Sequence, residues 1–261
     1  MAELSAARFY TSNLTGAFPL SSHLSIEHLH DISIYVVPKS PIITNFNSLL
    51  QGLIAHYNAD SWMGSRWTDL SGAGNHVTDI GGTTSISVMR PVGAPAYVYG
   101  APTAWMGFPE AILPSAQYTL FYVARYNGAV RGRIFQGVRT NWLSGFIANL
   151  AGVAHHDSCS WMTGVNDMHC SDWVLGTDRS NSFRSNGEDR TINSAACTAF
   201  DRLAINTGTQ DGETSDFAVQ SVLVYNRKLA DADVLKVEAW LSSLQPTFTP
   251  GTLQVRSCSL Y

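Results

Sequence analysis

Phe217-Ala218-Val219-Gln220-Ser221-Val222-Leu223-Val224-Tyr225 is an almost unbroken run of β-branched, aromatic and small apolar residues, closed by Asn226. Such a long, nearly continuous run, bounded by turn formers, reads as a strand. Tyr118-Thr119-Leu120-Phe121-Tyr122-Val123-Ala124 has the same character. Shorter apolar runs stand around these two, at residues 53–57, 133–136, 173–175 and 203–205. Ser71-Gly72, Gly81-Gly82, Asn127-Gly128, Asn186-Gly187 and Asp211-Gly212 lie between them. Asn-Gly and Asp-Gly supply the positive φ that tight hairpins need. Many strands so punctuated, without alternating long helices, predict an all-β fold, a two-sheet antiparallel jelly-roll sandwich.

One helix interrupts the pattern. Residues 229–244, LADADVLKVEAWLSSL, place Val234, Val237 and Leu241 on one face at three- and four-residue spacing, with Trp240 and Leu244 beside them. Asp231 and Asp233 fall in the first turn, where they suit the positive end of the helix dipole, and Pro246 ends the element. Residues 1–50 read differently. They hold His23, His28, His30 and one strand-like alternation, Ile32-Ser33-Ile34-Tyr35-Val36-Val37, closed by Pro38. The expected organisation is an N-terminal arm, residues 1–50, that packs on the main domain or reaches a neighbouring chain. A domain over residues 51–261, helix included, follows it.

The chain has 261 residues, 45 % hydrophobic and only 14 % charged, with 7 Trp, 10 Tyr and 11 Phe. So many large aromatics exclude a disordered chain. The net charge is −4, from 16 basic and 20 acidic residues. With no Lys/Arg surplus to neutralise phosphates, no nucleic-acid partner is expected. No stretch approaches about 18 consecutive apolar residues, so no helical membrane span is expected. The first thirty residues lack a basic region followed by an apolar run, so no conventional signal peptide is visible. The compartment therefore stays open, a component of an extracellular or viral assembly included. Cys159, Cys170, Cys197 and Cys258 show no C-x-x-C spacing. Cys159 and Cys170 could bridge a short aromatic loop, or all four could be idle thiols.

Two stretches carry a resemblance. Residues 52–60, GLIAHYNAD, followed by Trp67-Thr68-Asp69-Leu70-Ser71-Gly72-Ala73-Gly74-Asn75-His76, resemble the opening of concanavalin A-like, laminin-G-like domains, a hydrophobic strand and then D-x-S-G-x-x-N. Residues 216–229, closing on Tyr225-Asn226-Arg227-Lys228-Leu229 before the helix, resemble that family's penultimate strand and its Y-N-R-x-L turn. Phe183-Arg184-Ser185-Asn186-Gly187 is similar to its x-N-G hairpin. Ala230 stands where the family usually has a capping Ser, and Asp231 could cap instead. The resemblance covers about residues 50–245 and implies a two-sheet jelly roll whose members bind glycans or protein surfaces. Asp69, Ser71 and Gly72 read as a turn in which short polar side chains bond the backbone.

The segment 141–173, NWLSGFIANLAGVAHHDSCSWMTGVNDMHCSDW, is chemically the richest. It gathers Trp142, Trp161 and Trp173 with His155, His156, His169, Asp157, Asp167 and Asp172. Aromatic faces stack on the C–H face of a sugar ring while Asp, Asn and His reach its hydroxyls. Trp142, His155, His156, Asp157, Trp161, His169, Asp172 and Trp173 are therefore the expected recognition surface. The same mixture could hold a metal, calcium if oxygens dominate or zinc or copper through imidazoles. Alternatively, the aromatics belong to the core and the polar residues to loops.

Catalytic patterns are not visible. A glycosidase on this fold needs carboxylates straddling the bond, and none of Glu3, Glu27, Glu110, Glu188, Glu213 and Glu238 has E-x-D-x-E spacing. No G-x-S-x-G, H-E-x-x-H or phosphate loop occurs. The leading expectation is a non-catalytic, lectin-like and adhesive module for a glycan or protein surface. The alternative is a structural subunit of a virion, filament or cell-surface array, whose arm adds a strand to a neighbour. Low surface charge suits such contacts. A glycan-active enzyme with an unrecognised site is the third reading.

Overall fold

The computed structural model describes residues 49–113, 115, 117–157, 160–164, 173–194, 201–209 and 211–245. The strand expected at 32–37, the three N-terminal histidines, all four cysteines, His169 and Asp172 lie outside these residues, as does the arm up to residue 48. In chain order the strands are β1 (Leu53–Asn58), β2 (Asp79–Gly81), β3 (Ile86–Met89), β4 (Tyr97–Gly100), β5 (Trp105–Gly107), β6 (Thr119–Arg131), β7 (Phe135–Gly137) and β8 (Leu143–Ile147). They continue with β9 (Leu150–His156), β10 (Ser160–Trp161), β11 (Val174–Arg179), β12 (Ser182–Ser185), β13 (Glu188–Asp189), β14 (Leu203–Ile205) and β15 (Ser215–Tyr225), and helix α1 (Asp231–Ser243) follows.

The strands form two antiparallel sheets packed as a sandwich, the class that the apolar runs predict. The first runs β13-β12-β11-β6-β15-β4-β3, and the second runs β10-β9-β8-β7-β14-β5-β2. β1 and β4 share one edge of β15. β4 pairs with residues 217–219 and β1 with residues 221–225. Strand parity decides what meets in the middle. Val98, Ala124, Val174, Phe217, Val219 and Val222 of the first sheet enter one core with Met106, Phe135, Phe146, Ala154 and Ile205 of the second. Tyr122 stacks on Phe135 at 4.3 Å, and Tyr126 meets Phe146 edge-on at 5.2 Å. Each such buried ring contributes about 1.5–3 kcal/mol.

Helix α1 lies on the outer face of the first sheet. Val234, Val237 and Leu241 are buried, as their spacing predicts. Glu238 is buried on the same face, its Oε1 accepting from Thr177 Oγ1 (2.7 Å) and Arg184 Nε (2.9 Å). Trp240 meets the His56 ring edge-on at 6.0 Å. The residue before the helix, Ala230, caps it without a side-chain bond. Asp231, the expected substitute, instead pairs with Arg179 at 2.7 Å.

The motifs behind the resemblance are structural. Asp69 accepts from the backbone N–H of His56 (2.9 Å), Ser71 (2.8 Å) and Asn75 (3.0 Å) and from Ser71 Oγ (2.8 Å). Its burial alone would raise the carboxyl pKa, but those bonds outweigh it and hold the group below its ordinary value. The turn at the close of β15 is pinned through Thr119. Its Oγ1 donates to Arg227 O at 3.0 Å and accepts from Leu229 N at 2.9 Å. Asn186-Gly187, with φ of 51° and 83°, forms the two-residue turn between β12 and β13. Asn127-Gly128 is no turn and lies inside β6. A Cβ at Gly128 would come 2.4 Å from the Asp216 carboxylate, which accepts from Val130 N at 2.9 Å. The glycine serves a close approach rather than a reversal.

Candidate functional site

The described part of the expected recognition surface divides into three places. Trp142 and His156 point inward. The His156 ring stacks on Trp142 at 5.7 Å, and its Nε2 lies 3.2 Å from the Asp178 carboxylate. Tyr118 OH donates to Asp178 Oδ1 at 2.7 Å, and Trp142 Nε1 to Tyr118 OH at 3.3 Å. His156, Asp178, Tyr118 and Trp142 are all at most 3 % exposed, so they present no face to a ligand. They form a satisfied polar network between the sheets. Burial and the neighbouring Asp178 charge hold the Tyr118 hydroxyl protonated, raising its pKa well above the ordinary value.

His155 has the opposite parity and faces outward on the second sheet. Trp161 pairs with it across β9 and β10, the rings edge-on at 5.2 Å. His155 Nδ1 lies 2.7 Å from Asn141 O, and exposed Asp157 accepts from Asn141 N at 3.3 Å. This patch is partly exposed and mixed aromatic and polar.

Trp173 stands on the outer face of the other sheet. Tyr97 meets it edge-on at 5.3 Å, and Tyr99 meets Tyr97 at 6.1 Å. The Arg125 guanidinium lies 4.7 Å from the Trp173 ring centre and 5.3 Å from that of Tyr97. All four are partly exposed. Register explains the arrangement: Arg125 of β6 opposes Ala218 of β15, which opposes Tyr99 of β4. The small Ala218 is fully buried between these larger neighbours. The result is an aromatic shelf on the part of the face beside α1.

Next to the shelf is a groove of about 720 Å³, where β1 ends and β4 begins along β15. Trp240, His56, Asn58, Asp60, Gln220 and Gln245 line it. Burial lowers the His56 pKa, and Asp69 opposes that shift only in part, which favours a neutral imidazole at the groove wall. Sequence reading missed Tyr97, Tyr99, Arg125 and Trp240. A signal was present for two of them. Tyr97-Val98-Tyr99 alternates around a buried Val98, so both tyrosines share the outward face.

Among the described residues no group of three or more His, Cys, Asp or Glu is placed to hold a metal ion, and no helix is long and apolar enough to cross a membrane.

No protein-family model matches the sequence, and no curated protein does. Solved structures do match the fold. Domain 4 of AbnA, an extracellular GH43 arabinanase of Geobacillus stearothermophilus solved with arabinotriose, aligns with a TM-score of 0.53 at 14 % identity, over 71 % of this chain and 98 % of that one. The binding domain of Paraclostridial Mosquitocidal Protein 1 aligns at 0.53 and 10 % identity, over 74 % and 53 %. A structure of botulinum neurotoxin type C, whose cell entry depends on two ganglioside molecules, aligns at 0.51 and 15 %, over 77 % and 53 %. The chain spans about half the length of the two toxin chains. At such identities the likeness is one of fold.

Proposed function

We propose that this chain is a non-catalytic carbohydrate-recognition module of the concanavalin A-like, laminin-G-like class, working as an adhesive domain. The observation that carries the reading is the outward shelf of Tyr97, Tyr99 and Trp173 around Arg125, with the groove at Trp240 next to it along β15. Tilted aromatic rings offer apolar faces to pyranose C–H groups, and exposed Asp60 in the neighbouring groove suits ring hydroxyls. The fold supports the reading too, since two matched structures are described with arabinotriose or gangliosides as ligands. The family class rests on the sequence resemblance at residues 52–76 and 216–229, and the Asp69 turn, in which short polar side chains bond the backbone, supports it. His155, Asp157 and Trp161 form a second proposed contact patch on the other sheet.

A glycan array probed with the full chain, with calcium and with chelator, tests the function. Binding to one glycan class is the expected outcome. Indifference to chelator would remove a metal from the reading, and silence across every sugar in both conditions would remove recognition of those sugars.

A further inference from the structure

The geometry points to a carboxylated sugar, a uronic or sialic acid residue, as the ligand of the shelf. This inference rests on the carbohydrate reading above and names the ligand class for the same surface. Arg125 carries it. The side chain is only partly exposed, held against the Trp173 and Tyr97 rings. Through Nη2 it bonds two neutral oxygens, Tyr97 OH at 3.4 Å and Asn127 Oδ1 at 3.2 Å. Its Nε is enclosed without an acceptor. Among the described residues no carboxylate lies within 4.0 Å of it; the same holds for Arg66 and Arg131, but of these three only Arg125 has an enclosed Nε without an acceptor. The carboxylate next along β15, Asp216, is occupied by Val130 N at 2.9 Å.

A guanidinium stripped of part of its water, with no carboxylate beside it among the described residues, favours an anion from outside. With Nε enclosed and Nη2 donating to Tyr97 and Asn127, Nη1 is the donor open to that anion. The rings set the geometry. Stacking on two aromatics fixes the guanidinium plane, while Tyr99 and Trp173 offer apolar edges to the sugar ring that bears the acid. A free carboxylate would use only the cation, and a neutral sugar only the rings. A carboxylated pyranose uses both.

The test is calorimetric titration of the full chain with galacturonate, glucuronate and sialyl oligosaccharides, each beside its carboxyl-reduced neutral counterpart. The expected result is that one acidic oligosaccharide binds about tenfold or more tighter than its neutral form. That preference falls to near unity in Arg125→Gln and partly survives in Arg125→Lys, which keeps the charge but loses the planar group held against the two rings. Thermal unfolding of both variants verifies folding. Equal affinity for acidic and neutral partners would overturn the acid preference and leave carbohydrate recognition standing. Binding to sulfated but not carboxylated sugars would also overturn it. Binding to none of them would fail both readings together.

Discussion

Single carboxylates organise whole loops in this molecule. Asp69 gathers four donors from three residues, and Asp201 accepts from the backbone of Val138 (3.1 Å), Arg139 (3.0 Å) and Thr140 (2.7 Å). The Asp69 turn was legible because Asp, Ser and Gly at close spacing have few other local uses. Asp201 was not, because its partners lie about sixty residues away in sequence. Asp69→Asn keeps the shape but weakens charge-assisted bonds, and should cost about 2 kcal/mol in urea unfolding at pH 7. The pH dependence has a definite sign. A carboxyl whose folded pKa lies below its ordinary 3.8 contributes stability that is full above that value and lost as pH falls through the depressed one. Asp189 and Asp231 shift the same way, so Asp69→Asn should flatten the loss below about pH 4 without abolishing it. Inside the core, Asp178→Ala strands the Tyr118 hydroxyl and the His156 ring, both buried. It should cost about 3 kcal/mol, with midpoints of wild type and variant as the measure. An equal midpoint would show that the network adds nothing.

Helix α1 shows where periodicity informs and where it stops. Its apolar face at Val234, Val237 and Leu241 followed from spacing alone. Glu238 on that face did not, because a charge is expected to face water. It is tolerated only through Thr177 and Arg184, which sit on two strands remote in sequence. Glu238→Ala leaves the Arg184 guanidinium without its carboxylate and should cost about 2–3 kcal/mol. Hydrogen exchange should then accelerate across residues 231–243 more than across β6 or β15. Uniform acceleration would mean that the helix is not anchored through this cluster. Gly128 teaches the converse lesson about local signals. Asn-Gly is a strong hairpin signal, yet here β6 runs through it to admit Asp216. Only the pairing partner, absent from any local window, distinguishes the two uses.

At the scale of the molecule, the sandwich was legible and the site only partly so. Long β-branched runs and turn residues announce two sheets whatever the pairing order. Which side of a sheet a residue occupies depends on register, and register comes from distant segments. Trp142, Trp161 and Trp173 are indistinguishable by composition, but they sit in the core, on the second sheet and on the first. Trp173 gains its neighbour Tyr97 from more than seventy residues upstream, across strands that no sequence pattern pairs. Helix α1 covers another part of the outer face, and the proposed recognition surface is the aromatic shelf that it leaves open. The most direct measurement compares glycan-array binding by wild type, Tyr99→Ala, Trp173→Ala and Trp161→Ala, each verified as folded by its unfolding midpoint. Losing one stacked ring should weaken binding about tenfold in Tyr99→Ala and Trp173→Ala, while Trp161→Ala keeps most of the signal. Undiminished binding in both shelf variants would contradict the assignment of recognition to the outer face of the first sheet.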